Sequence, residues 1–113
     1  MIVNQKNVRK LVDALRGGKY HQIQGMLCVV RGNQTFHCCL GVACRLAIKD
    51  GVQINVEKDC GNHVTFNRAM SMPPPPVERW LGEDVNIGKL ANMNDGGKSF
   101  KEIADDLENE YLR

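Results

Sequence analysis

Aromatic side chains are scarce in this 113-residue chain, which holds one Trp, two Tyr and three Phe. None is interleaved with basic residues, so the stacking platform of a single-strand nucleic-acid binder is missing and nucleic acid is not an expected partner. No glycine-rich phosphate loop occurs either. Gly17-Gly18 and Gly96-Gly97 stand where caps and turns belong, and neither follows a strand in a βαβ context. The longest apolar stretch is about 12 residues, against roughly 20 for a membrane-spanning helix, so no membrane partner is expected. No apolar segment follows the charge in Met1-Ile2-Val3-Asn4-Gln5-Lys6, so a secretion signal is not expected and the expected location is cytoplasmic. Proline is confined to one run, Pro73-Pro74-Pro75-Pro76, a stiff spacer whose last member can open a short helix over Val77–Leu81 before Gly82.

The five cysteines are an odd number, and Cys38 and Cys39 are adjacent, which fits reduced, buried thiols better than a disulfide framework. Cys28, His37, Cys38, Cys39, Cys44, Cys60 and His63 lack the doubled close spacing of zinc knuckles. Neither a metal nor a cofactor is expected.

Among what is present, the stretch from Phe36 to Ile48 dominates. Ten of its thirteen residues are apolar or cysteine, and Arg45 is its only full charge. Apolar positions cover most of a helical circumference, which predicts a buried central helix over residues 38–49. Before it, Asn4 caps a predicted helix with Val8, Leu11, Val12 and Leu15 on one face, ended by Gly17-Gly18. Residues 17–25 read as a polar loop. Met26–Val30 and Gln34–His37 read as a hairpin about Gly32-Asn33. After the central helix, Val52, Ile54 and Val56 alternate with polar residues and predict a strand that returns as His63–Phe66. Trp80 reads as a core residue. Residues 87–93 fit a short helix or an extended segment, with Leu90 and Met93 inward. Ser99 and Glu102 form a capping box that opens a last helix lined by Phe100, Ile103, Ala104, Leu107 and Tyr111. The expected architecture is one α+β domain over residues 1–113: three to four helices round a buried central helix, with short antiparallel β-hairpins.

Net charge is +2, but residues 1–50 carry eight Lys/Arg against two Asp, while residues 51–113 carry seven against eleven acids. A basic half steers anionic partners. Its polar loop holds Tyr20 and His21, which suit stacking and hydrogen bonding. The candidate binding residues are therefore Arg9, Arg16, Lys19, Tyr20, His21 and Arg31. The acidic face of the last helix offers a second use for the same charge, docking another copy as a homodimer. Solvated helix faces are the plain alternative.

A cysteine at a helix N-terminus can be an activated nucleophile, and Cys38 or Cys39 is so placed. With His63 as base and Asn94 or Asp95 to orient it, the order is similar to papain-like cell-wall peptidases, whose histidine strand Gly61-Asn62-His63-Val64 resembles. Only 23 residues separate Cys39 from His63, and Leu40 stands where those enzymes commonly have a small polar residue.

Three further segments, Phe36–Ala47, Pro76–Gly82 and Leu90–Leu107, together resemble a group of small uncharacterised phage and prophage proteins. His37 departs from an aromatic or glycine expected there, and Arg45 from an acid. The resemblance implies a small non-enzymatic accessory protein in the cytoplasm of an infected bacterial host, serving host takeover or counter-defence. It would bind a host or defence protein or a small anionic, nucleotide-type signal. The alternative is the papain-like cysteine hydrolase.

Overall fold

A computed structural model describes residues 1–112. Arg113, the last residue of the expected domain, lies outside the described residues. Helix α1 (Gln5–Arg16) begins where Asn4 accepts a hydrogen bond from the Asn7 amide, and it buries Val8, Leu11, Val12 and Leu15 as their spacing predicts. A short strand β1 (His21–Gln22) follows, then β2 (Cys28–Arg31) and β3 (Gln34–His37). Strand β3 leads directly into α2 (Cys39–Lys49), where seven of eleven residues are buried. The chain continues through β4 (Val56–Lys58), β5 (Val64–Phe66), α3 (Pro75–Leu81), α4 (Ile87–Asp95) and α5 (Phe100–Tyr111).

The class is α+β, as expected, with five helices among the described residues. Helix α2 is central: it packs against α1, α3 and α4 and against the strand that precedes it. The first sheet has the order β1-β3-β2, with β2 antiparallel to β3 and Val29 opposite Phe36. Strand β1 lies parallel to β3, with His21 beside Phe36 and Gln22 beside His37. Strands β4 and β5 form the second hairpin, and a bridge between Val29 and His63 joins the two sheets.

Two expectations are corrected and one open alternative is decided. Residues 21–22 are not loop but an edge strand, tied further by the Ile23 amide donating to the His37 carbonyl. Val52 and Ile54 do pack on the core, but the paired strand starts only at Val56, which is 42% exposed. Residues 87–95 are a full helix capped by Asn86. Trp80 is in the core, yet its indole N–H donates to Asp50 Oδ2 at 3.0 Å, fastening α3 to the end of α2.

Two glycines stand where other parts of the backbone approach closely. A Cβ on Gly41 would stand 1.8 Å from the Leu27 carbonyl oxygen, so only glycine lets α2 approach the chain entering β2 so closely. Gly82 combines φ 108° with a Cβ position 2.6 Å from the Ile2 carbonyl oxygen. The N-terminal residues cross it there, held by Asn4 N donating to the Leu81 carbonyl and Asp84 N to the Ile2 carbonyl.

Candidate functional site

The cysteines come first, because a reactive thiol would define an enzyme. All five are free; Cys28, Cys38, Cys39 and Cys44 are buried, and Cys60 is exposed in the β4–β5 turn. Cys38 is the N-cap of α2, and its Sγ accepts from the Gly41 amide at 3.4 Å. That contact favours a thiolate, but burial opposes it and wins: the thiols of Cys38, Cys39 and Cys44 are all pushed up from their ordinary value. The magnitudes agree with this order. A helix terminus offers roughly 0.3–1 kcal/mol, less than the ~1.4 kcal/mol of one pKa unit, while burial moves a group by up to about 3–5 units. Cys39 Sγ donates to the Leu90 carbonyl at 3.6 Å. His63 lies instead beside Asp59, with Nδ1 3.4 Å from Oδ2. The third residue considered with them, Asn94, is engaged in the fold.

Asn94 is fully buried and joins α4 to α2 and β1. Its Oδ1 accepts from the Cys39 amide at 3.1 Å and from Gln22 Nε2 at 3.0 Å, and its Nδ2 donates to the Ile23 carbonyl at 2.8 Å. Gln22 Nε2 also donates to the Lys98 carbonyl, and Gln22 Oε1 accepts from the Phe100 amide. Asp95, next in sequence, accepts from the Gly25 amide. Asn94 and Asp95, which sequence reading puts in a turn, are the last residues of α4, and with Gln22 they form a joint between β1, α2, α4 and α5. Its chemistry is hydrogen-bond satisfaction in the core.

The basic half is partly neutralised within the chain. Arg9 Nη1 lies 2.7 Å from Glu108, and Arg16 Nη2 lies 2.7 Å from Asp105 and 3.0 Å from Glu108. Hydrogen bonds from Arg16 and then Arg9 hold the Glu108 carboxyl down at about 2. The acids of α5 that were to dock another copy therefore face α1 of their own chain, and Asp106 and Glu110 face Lys89.

Next to this network lies a cleft of about 590 Å³ between the end of α1, the edge strand β1 and the start of α5. Leu15 and Phe100 form its apolar floor, Tyr20 and His21 its aromatic wall, and Arg16 and Lys101 stand at its rim. Lys19 Nζ lies 5.7 Å from the centre of the Tyr20 ring. Among the described residues neither Lys19 nor Lys101 has a carboxylate partner, whereas Lys98 is 3.9 Å from Glu102. The cleft therefore brings together three of the six predicted residues, Arg16, Tyr20 and His21, and Lys19 stands beside them over the Tyr20 ring. Arg9 lies outside it, paired with Glu108. Arg31 pairs with Gln34 at the far end of the β2–β3 hairpin. Lys101 and Phe100 were missed as site residues because they read as the first turn of a helix. Only the sheet pairing of residues 21–22 reveals that this turn faces Tyr20.

The cleft on this small α+β domain thus has an apolar floor, an aromatic wall and a cationic rim. The chain belongs to a family described as a domain of unknown function, DUF8296, which matches residues 3–111. No curated protein and no solved structure matches.

Proposed function

We propose that the protein acts by binding a small anionic ligand with a planar ring, such as a nucleoside monophosphate, in the cleft beside Tyr20 and His21. The observation that carries this reading is the pairing of an aromatic wall with two cations, Lys19 and Lys101, that have no counter-charge among the described residues. A ring can lie against Tyr20 while a phosphate meets the lysines. The cleft volume lies inside the roughly 300–1,000 Å³ of small-molecule sites. A binder of this kind suits a phage accessory protein that sequesters a nucleotide-type signal of the host, the role implied by the resemblance of its three segments. The buried, proton-retaining thiols at the head of α2 give the hydrolase alternative no support.

Calorimetric titration with AMP, and with inorganic phosphate as a control, tests the proposal. Wild type should bind AMP more tightly than phosphate, and Lys19→Glu with Lys101→Glu should weaken AMP by at least about tenfold, or 1.4 kcal/mol. Unchanged affinity in that double variant would remove the cleft from consideration.

A further inference from the structure

Behind the cleft wall lie a buried histidine and a half-buried arginine that the binding reading leaves unused. His37 is 5% exposed, and its ring meets Tyr20 edge-on, with centroids 5.2 Å apart and planes at 87°. On its other side Arg45 of α2 donates from Nε to His37 Nε2 at 3.1 Å. Arginine has only donors, so Nε2 is the bare nitrogen and the imidazole proton sits on Nδ1. That Nδ1 is buried and has no hydrogen-bond partner among the described residues. Arg45 is itself held from two more directions. Its Nη2 lies 3.8 Å from Cys28 Sγ, and its guanidinium carbon lies 5.1 Å from the centre of the Phe66 ring. Among the described residues it has no carboxylate partner.

A buried donor without an acceptor costs about 1–3 kcal/mol and calls for a reason. The reason available here is orientation. Arg45 fixes the plane and tautomer of His37, and the His37 ring is the surface on which Tyr20 rests.

We propose that Arg45 and His37 are positioning residues for the cleft, acting through the Tyr20 ring to hold it upright as the wall. The proposal rests on the cleft being a binding site, but Tyr20 can be read without any ligand. The groups that face the imidazole are Arg45 from α2, Cys28 from β2 and Tyr20 from the chain entering β1. Burial first and Arg45 second hold its pKa down at about 4.

The test is NMR of the full chain, following the Tyr20 ring resonances in wild type, Arg45→Met and Arg45→Lys. In wild type they should move together with those of His37 as the pH falls to about 4, while backbone amides remote from the sheet stay folded. In Arg45→Met the Tyr20 resonances should shift toward free-tyrosine positions and the His37 midpoint should rise. Arg45→Lys, which keeps a donor and the charge, should restore part of both. Tyr20 resonances that ignore His37 titration in wild type would overturn the proposal, and this result needs no variant to fold. AMP affinity supplies the second reading: it should fall by about fivefold or more in Arg45→Met and recover in part in Arg45→Lys. If wild type does not bind AMP, the ligand assignment fails while the Tyr20 titration still decides the positioning role.

Discussion

At the scale of single residues, the informative side chains are polar ones in buried places. His37 stays neutral in the folded chain down to about 4, whereas its ordinary value is 6.5. Between those values the unfolded chain takes up a proton that the native state refuses, so stability falls as the pH falls through this window. The full effect is on the order of 3 kcal/mol. Urea melts should show this loss in wild type, and His37→Gln, which keeps an acceptor for Arg45 but does not titrate, should flatten it. The lowered carboxylates Asp50, Asp59, Glu102 and Glu108 act in the same direction but only at lower pH, so the upper part of the window isolates the histidine. Asn94→Ala strips partners from the Cys39 amide, Gln22 and the Ile23 carbonyl at once, and should cost about 2–4 kcal/mol in the same melts. Neither residue was legible in the sequence. An Asn before Asp-Gly-Gly looks like any turn asparagine, and His37 and Arg45 stood out separately as departures from the resembling group. Only the fold shows that these two departures touch each other.

At the scale of elements, the helices were the most legible part, because their apolar spacing and caps are local. Asn4, Ser99 with Glu102, and the buried stripes of α1 and α5 all stand where the periodicity puts them. The strand β1 was hidden, since two polar residues at a sheet edge carry no period, and their pairing is decided by Gln22 and Asn94 far apart in sequence. The central helix was legible in extent but less so in rotation. Leu40 is fully buried, while Leu46 is only half-buried. Leu40→Ala should therefore cost about 2–5 kcal/mol in denaturant melts, and Leu46→Ala clearly less. Equal costs would mean that α2 is turned otherwise. Gly41→Ala should be worse than its single carbon suggests, because the Leu27 carbonyl occupies that space; overpacking typically costs about 1–3 kcal/mol, and backbone contact puts this case at the upper end. The glycine itself was visible in the sequence. Its reason was not, since it lies in the close approach of two segments.

At the scale of the whole molecule, part of the charge asymmetry between the two halves is answered within the chain. Arg9 and Arg16 answer Glu108 and Asp105 across the α1–α5 contact, and Lys89 answers Asp106 and Glu110. These acids already have partners within the chain, so sedimentation at low and high salt should give a monomer in both; a dimer that dissociates with salt would show that those acids serve self-association instead. What stays uncompensated beside an aromatic wall is the pair Lys19 and Lys101, and the central claim is that ligand binding happens there. Amide NMR during titration with AMP reads this most directly. Binding at the cleft predicts saturable shifts at Gly18, Lys19, Tyr20, His21 and Lys101, lost when Lys19 and Lys101 are both changed to glutamate. No saturable shifts at millimolar AMP, or shifts centred on another face of the molecule, would contradict it.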